Sequence, residues 1–312
     1  MTEQPLVRSL AHAIRKKTWT QTHDIRVAYL VYLPCVLVVV VLGLYPAVRV
    51  LQLSLFRADV FFTYQNYVGL DNIRSVLQSE EMLAAIENDL VFTGFSVSIQ
   101  FIVGLLVALL LNQDFPGRNI ARGVLLFSYV VPIVVVALVW KFMLNDLFGI
   151  INFIIWELHL PVKTTWFARP DTAMPTVIMI TVWKYFPFFV IVFLAQLQSI
   201  PQELYEAAKI DGANQLQEFW HVTWPLLRPV AIIGLLLRTI WTFNNFSVIS
   251  LLTEGGPLSS TMTPPVLIHN VVFGQYMLGR GAAMAIVLFV LLIIASVVYG
   301  RLYSRAQRQL DV

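Results

Sequence analysis

The sequence predicts an all-α membrane protein with six transmembrane helices, and three observations carry that prediction. Of the 312 residues, 58% are hydrophobic and 12% charged, about half the charged share of an ordinary soluble domain. Six apolar windows, at 27–47, 90–111, 123–144, 174–197, 229–252 and 281–300, have roughly the 20 residues that a helix needs to cross a bilayer. They are continuously apolar instead of alternating, which argues against a β-barrel, whose strands turn every second side chain to lipid. A membrane domain at 27–300 is thus flanked by an N-terminal segment, 1–26, and a tail, 301–312.

The N-terminal segment carries Leu6, Leu10, Ala13 and Ile14 at helical spacing beside Arg15, Lys16 and Lys17, which fits an amphipathic helix on the lipid surface or a disordered basic tail. No small-residue cleavage site follows the first window, so it reads as a retained helix. In the connection 51–89, Val68-Gly69-Leu70-Asp71-Asn72 reads as a turn before a short helix through Leu77. Gly104 and Ala108 in the second window leave room for a close neighbouring helix, and Asn112 to Arg118, with Pro116-Gly117, is a tight turn. Between Asn145 and Thr172, the apolar run from Ile150 to Trp156 is too short to span and suits the membrane interface. Pro187 sits mid-way along the fourth window, where it removes a backbone hydrogen bond. After the fifth, Glu254-Gly255-Gly256-Pro257 breaks the helix, and Pro264-Pro265 predicts an irregular continuation.

Orientation follows from Lys and Arg. Twelve lie in the N-terminal segment (Arg8, Arg15, Lys16, Lys17, Arg26), after the second window (Arg118, Arg122), after the fourth (Lys209, Arg228) and in the tail (Arg301, Arg305, Arg308). The alternate connections hold five: Arg57, Arg74, Lys163, Arg169 and Arg280. Both termini and the loop 198–228 are therefore expected in the cytoplasm. The net charge of +3 is mostly this asymmetry, and no dense basic cluster supports nucleic-acid binding. Cys35 is the single cysteine, which excludes a disulfide or a cysteine-rich metal site within the chain.

The loop 198–228 is the polar exception in an apolar chain. Ser199 and Gln202 have capping-box spacing for a helix running to about Ile210, with Pro201 in the first turn and Gly212 ending or bending it. Asn214 and Gln217 repeat the spacing for a second helix that stops before Pro225. Leu204, Ala207 and Ala208 make a small apolar face flanked by Glu203, Glu206 and Asp211. Such a face fits a groove of another protein; the competing reading is an amphipathic loop on lipid headgroups, whose acids an anionic leaflet repels.

Glu206-Ala207-Ala208, three residues, Gly212, then Pro225 thirteen residues later resembles the EAA motif of binding-protein-dependent ATP-binding-cassette importer permeases. Gln198-Ser199-Ile200-Pro201 before it and Pro225-Leu226-Leu227-Arg228-Pro229 after it agree. The resemblance runs from about residue 25 to 305 and is closest to carbohydrate permeases of the maltose and glycerol-phosphate type. It is carried by Val68 to Asn72, Val139-Trp140-Lys141, Gly149-Ile150-Ile151-Asn152, Val182-Trp183-Lys184, Thr242-Phe243-Asn244-Asn245-Phe246 and Thr253-Glu254-Gly255-Gly256-Pro257. Trp224 stands where the family usually has an aliphatic residue, and Glu254 where a small residue is common. The resemblance implies a type I importer permease fold whose EAA coupling helix, through Glu206, Ala207, Ala208, Asp211, Gly212 and Ala213, sits in a cleft of a cytoplasmic ATPase. No Gly-Lys pair for a phosphate-cradling loop occurs here, so no cofactor is expected in this chain, and ATP and magnesium belong to the partner.

Lys184 and Arg238 fall inside the fourth and fifth windows, where a bare charge costs at least about 2.5 kcal/mol. Contacts to helix ends and contacts to a solute both answer that cost, and no deep Asp or Glu is read in any window. Lys141, near a helix end, can snorkel. Trp241, Asn244, Asn245 and Ser247, together with Trp183, form an aromatic and amide set suited to a sugar, whose hydroxyls need directional partners and whose ring face stacks on aromatics; packing between helices is the alternative. His159, His221 and His269 are far apart and read as solvated loop residues instead of metal ligands.

The reading is a multi-pass inner-membrane subunit that forms half of a sugar translocation pore by alternating access. Its expected partners are a second, different permease, two ATPase subunits, an extracytoplasmic solute-binding protein, the sugar and membrane lipid. An ion-coupled secondary carrier is the rival, and it requires a deep ion site.

Overall fold

The computed structural model describes residues 27, 29–59, 64–161 and 165–308; the expected N-terminal amphipathic helix lies outside them. The chain divides into two compact units, 1–53 and 54–312. In the first, one apolar helix, α1 (Tyr29–Ser54), carries a π turn at Val40–Leu44.

The second unit opens with a short hairpin, β1 (Phe56–Ala58) antiparallel to β2 (Tyr64–Tyr67). This small strand pair departs from an all-α expectation. Gly69, at φ +55°, turns the chain into α2 (Asp71–Leu77). Asn72 ties α2 to the hairpin by donating from Nδ2 to the carbonyls of Ser54 and Phe56, both at 2.9 Å.

The candidate membrane-spanning elements are α3 (Glu80–Asn112), the bent pair α4 (Arg118–Val130) and α5 (Ile133–Met143), α7 (Pro170–Ser199), α9 (Gln215–Phe243) and α12 (Leu278–Arg308). With α1 they make five helices long and apolar enough to span, or six if the bent pair counts as one. The third window is thus not one straight helix: it turns by 96° between Val130 and Ile133. Pro132 explains the interruption, because it lacks an N–H and holds Val131 in an extended backbone, at ψ 132°. Between the spans lie α6 (Ile150–Glu157), α8 (Gln202–Ile210), α10 (Phe246–Leu252) and α11 (Pro264–Gly274).

Several local expectations are corrected. The second loop helix does not stop before Pro225: α9 runs unbroken from Gln215 through a π turn at Phe219–Thr223, where the Trp224 amide reaches the Phe219 carbonyl and shifts the register ahead of the proline. Pro264 and Pro265 begin a helix instead of an irregular segment, because the first turn needs no N–H. The fifth window breaks at Asn244, so α9 and α10 are separate helices. The last helix continues through 301–308, beyond its apolar window.

Hydrocarbon supplies no hydrophobic drive between spanning helices, so they associate through close van der Waals contact. α3 and α7 form the main contact, with Ala108, Phe189 and Phe193 fully buried and Phe101 edge-on to both phenylalanines at 5.5 and 5.3 Å. Gly104 permits this approach: a Cβ there would overlap that of Phe189 and come within 3.2 Å of the Phe186 carbonyl. A second cluster joins α5, α7 and α10 through Val136, Ile180, Val248 and Ile249. A third packs α2 and α3 against α11 and α12 through Val76, Met82, Val271 and Met284.

Gly104→Ala is expected to destabilise the protein by about 1–3 kcal/mol through overpacking, read as a lower melting midpoint in detergent. Gly94→Ala, at a site with nothing within 4 Å, should leave that midpoint unchanged or higher.

Candidate functional site

Two places concentrate chemistry: the helical knob of the loop 198–228 and a cationic, aromatic cluster inside the spans.

The knob is α8 followed by the start of α9. Pro201 occupies the N-cap position of α8 without a side-chain cap. Ser199, expected to cap it, instead donates to the Gln196 carbonyl at 2.8 Å, because α7 extends to Ser199 and its hydroxyl turns back along that helix. At the other end the Gly212 amide reaches the Lys209 carbonyl at 3.0 Å and the Ala213 amide reaches Ala208 at 2.9 Å. This is a Schellman stop, and Gly212 supplies its left-handed residue at φ +80°. Asn214 and Gln217 close a full capping box at the start of α9, with bonds of 2.8 and 3.0 Å.

Between its two caps the knob buries little. Glu206, Ala207, Asp211 and Gly212 are exposed and Ala208 and Ala213 half-buried, while Ile210 and Leu216 remain 86% and 68% exposed. The Tyr205 hydroxyl meets Thr223 Oγ1 at 3.0 Å, anchoring α8 to the π turn. Trp224 joins Phe219 and Trp220 in an aromatic triad behind the knob, with centroids 5.2–6.3 Å apart. The knob is therefore stiff and presents apolar side chains to no partner within the described residues.

In the spans, Lys184 on α7 inserts its ammonium into the break between α4 and α5. It donates to the carbonyls of Ser128, Tyr129 and Val131 at 3.0, 2.8 and 2.6 Å. These are two of the last carbonyls of α4 and that of Val131 just after it, which the bend leaves without an intrahelical donor, and a cation there also meets the negative end of the helix. Of the two readings of Lys184, the geometry supplies the contact to a helix end. Arg238 on α9 is 3% exposed; its Nε donates to Gln100 Oε1 at 3.0 Å and its Nη2 to Thr242 Oγ1 at 3.2 Å. The guanidinium carbon lies 4.5 Å from the centre of the Tyr185 ring and 5.9 Å from that of Phe188. Lys184 Nζ is 5.5 Å from the same Tyr185 ring and 5.9 Å from Tyr129.

Of the residues expected along a solute path, Lys184, Arg238, Trp241 and Asn245 converge on this cluster. Trp241, half-exposed, packs edge-on against Phe188 at 5.4 Å. The Asn245 amide interacts with the Tyr185 hydroxyl and caps α10 by accepting from the Val248 amide at 3.0 Å. Asn244 and Ser247 are exposed, with Asn244 Nδ2 donating to the Ile240 carbonyl at 3.0 Å. Trp183 turns away and packs on Trp140 at 5.6 Å. Sequence reasoning missed Tyr129, Tyr185, Phe188 and Gln100. Helical spacing held the signal for one of them, since Phe188 follows Lys184 by four residues on α7 as Thr242 follows Arg238 on α9.

A buried acid was also missed. Asp89, 1% exposed, lies inside α3, one residue before the window used for that helix. It accepts from Thr93 Oγ1 at 3.3 Å and begins a buried polar face that continues through Ser96 to Gln100. Two of the three histidines expected in loops are helical: His269 lies on α11 between the rings of Phe246 and Phe273, and His221 on the π turn of α9, while His159 is exposed in the loop after α6. Among the described residues no group of three His, Cys, Asp or Glu could hold a metal ion.

The family model for the binding-protein-dependent transport system inner membrane component matches residues 100–308. The chain belongs to that family. It is 37% identical over 277 residues to the trehalose/maltose transport system permease protein MalF of Thermococcus litoralis, covering 88% of this chain and 93% of that one. It is 31% identical over 268 residues to the sn-glycerol-3-phosphate transport system permease protein UgpA of Agrobacterium fabrum, covering 85% and 90%. A permease-fold chain of a bacterial alginate ABC transporter, solved with an alginate pentasaccharide-bound periplasmic protein, superposes with a TM-score of 0.80 at 23% identity, covering 92% of this chain and 97% of its own. This membrane permease thus shares its fold with ABC importer subunits and works as a translocation component.

Lys184→Met is expected to leave three carbonyls at the bend without a donor, at about 1–3 kcal/mol for each group left unsatisfied. Amide exchange across residues 125–136 should accelerate in the purified variant, while exchange in α8 stays as it was.

Proposed function

We propose that this permease is one half of the translocation pore of an ATP-driven sugar importer and that α8 is its coupling helix. The observation that carries the reading is the knob: a helix stiffened at both ends, rooted by Tyr205 and Thr223, whose exposed Ile210 and Leu216 have no cover among the described residues. In water such a face is stabilised by entering a groove of another protein, and the EAA match at Glu206-Ala207-Ala208 and Gly212 names that protein as a cytoplasmic ATPase. Its two copies, a second permease, and an extracytoplasmic solute-binding protein complete the assembly. ATP and magnesium reside on the ATPases, and both termini and the knob face the cytoplasm.

Alternating access then follows from a rigid lever. Movement of the ATPases reaches α8, passes through the π turn into α9, and shifts the Arg238 and Trp241 cluster against α7. A sugar is supported by the aromatic and amide side chains of that cluster, since Trp241 and Phe188 offer ring faces and Asn245 and Gln100 offer amides. The relatives named above carry transported molecules of both kinds in their names, neutral disaccharides and an anionic glycerol phosphate, so likeness alone leaves the charge of the solute open.

Gly212→Pro should abolish uptake while membrane insertion and expression persist, because proline cannot adopt φ +80° and removes the amide bonded to Lys209. Transport at the parental rate by that variant removes the coupling assignment. Asn245→Ala is expected to lower sugar-stimulated uptake or alter the sugar preferred, and unchanged kinetics across several sugars would assign Asn245 to packing alone. Pull-down of the tagged permease should recover an ATPase; solute accumulation by the purified chain alone would favour an ion-coupled carrier.

A further inference from the structure

The cationic cluster is electrically one-sided. The ion pairs of Arg118 with Asp114, Arg169 with Asp171 and Arg280 with Glu81 all lie elsewhere. Lys184 is balanced by three carbonyls at the negative end of α4. Arg238 has only neutral partners: an amide oxygen, a hydroxyl and two aromatic faces. The one buried acid among the described residues, Asp89, lies eleven residues from Gln100 along α3, about 16 Å of helix rise. Arg238 therefore carries a net positive charge into the low-dielectric interior without a nearby counter-ion. Its Nη1 has no hydrogen-bond partner among the described residues, and it is not among the unpartnered atoms sealed from solvent.

We propose that the transported solute is an anion, a sugar derivative bearing a carboxylate, phosphate or sulfonate, and that Arg238 is the residue selecting for that charge. The proposal rests on reading the cluster as a wall of the solute path. A neutral sugar needs no such charge, because amides and hydroxyls satisfy its hydroxyl groups, whereas an anion is expelled from an apolar interior unless a cation offsets its lost hydration. Coulomb's law sets the size of the effect. A unit charge about 7 Å away enriches a monovalent anion roughly sevenfold at an effective dielectric constant of 40 and roughly fiftyfold at 20. Trp241, one turn beyond Arg238 and half-exposed, marks where a passing solute feels that field.

The test uses the reconstituted assembly of this permease with its partner permease, ATPases and solute-binding protein. Maltose and trehalose are compared with glucuronate, an oligogalacturonate and glycerol 3-phosphate as stimulators of ATP hydrolysis and as accumulated solutes. Anionic members should stimulate; Arg238→Gln should lower their kcat/KM at least tenfold, and Arg238→Lys should retain most of it. Stimulation by the neutral sugars alone would overturn the anion assignment while leaving the importer standing. Stimulation by no solute would remove the importer reading and this inference with it. A second readout needs no choice of solute. In a Cys35→Ser background, Asn244→Cys should react faster with a negatively charged than with a positively charged methanethiosulfonate reagent of similar size. Adding Arg238→Gln should cut that rate ratio by fivefold or more, and a ratio indifferent to Arg238→Gln would overturn the proposal.

Discussion

Hydrocarbon offers no partner to a bare carbonyl or charge, and that constraint shapes the spanning part of this protein more than any other. A helix can be interrupted between membrane faces only where another element completes its hydrogen bonds. Lys184 does this for the bend after α4, placing one ammonium among three carbonyls. Asn245 does it at the second interruption by accepting from the Val248 amide at the start of α10. Both interruptions meet at Tyr185, which faces Lys184, Arg238 and Asn245. The polar chemistry that repairs two broken helices is thereby the same chemistry that lines the candidate solute path.

Close packing makes those breaks tolerable. α3 and α7 approach across Gly104 and Ala108, with Phe189 and Phe193 filling the contact, so the helix bearing Lys184 and Tyr185 rests on a stiff neighbour. Gln100, one turn before Gly104 on the same side of α3, receives Arg238 from α9. The Gly104 contact and the Gln100 bond place α7 and α9 on a common reference, α3. The knob lies at the far end of α7 and at the start of α9, so both helices that build the cluster leave from the element that the coupling reading assigns to the ATPase.

Much of this was legible in the residues. Apolar windows located the spans because a membrane helix must be apolar along its whole length. Gly212 and the Asn214–Gln217 pair marked the knob's boundaries because a left-handed stop and a capping box are decided by a few adjacent side chains. The window at 123–144 concealed a 96° bend, however, since Pro132 shows that a helix is interrupted without showing in which direction it turns. Ser199 has cap spacing yet bonds backward, because α7 continues through it and competes for its hydroxyl. Pro225 reads as a stop yet lies inside α9, tolerated behind the π turn at Phe219–Thr223, and Pro264 reads as irregular yet begins a helix, whose first turn needs no N–H. Asp89 escaped notice because an apolar window ends where a charge begins, although the helix continues outward by nine residues to Glu80.

Taken alone, the chain of residues determined the class of solvent, the number of apolar segments, the two ends of the knob and the family to which its motif points. Each of these depends on residues adjacent in sequence or on summed composition. Only the folded arrangement decided that Lys184 serves a helix end, that Arg238 meets Gln100 across 138 positions, and that Tyr185 stands between two cations. Those outcomes depend on where separate helices cross, and in a membrane the crossings are set by the fit of whole helix surfaces, which no single segment encodes.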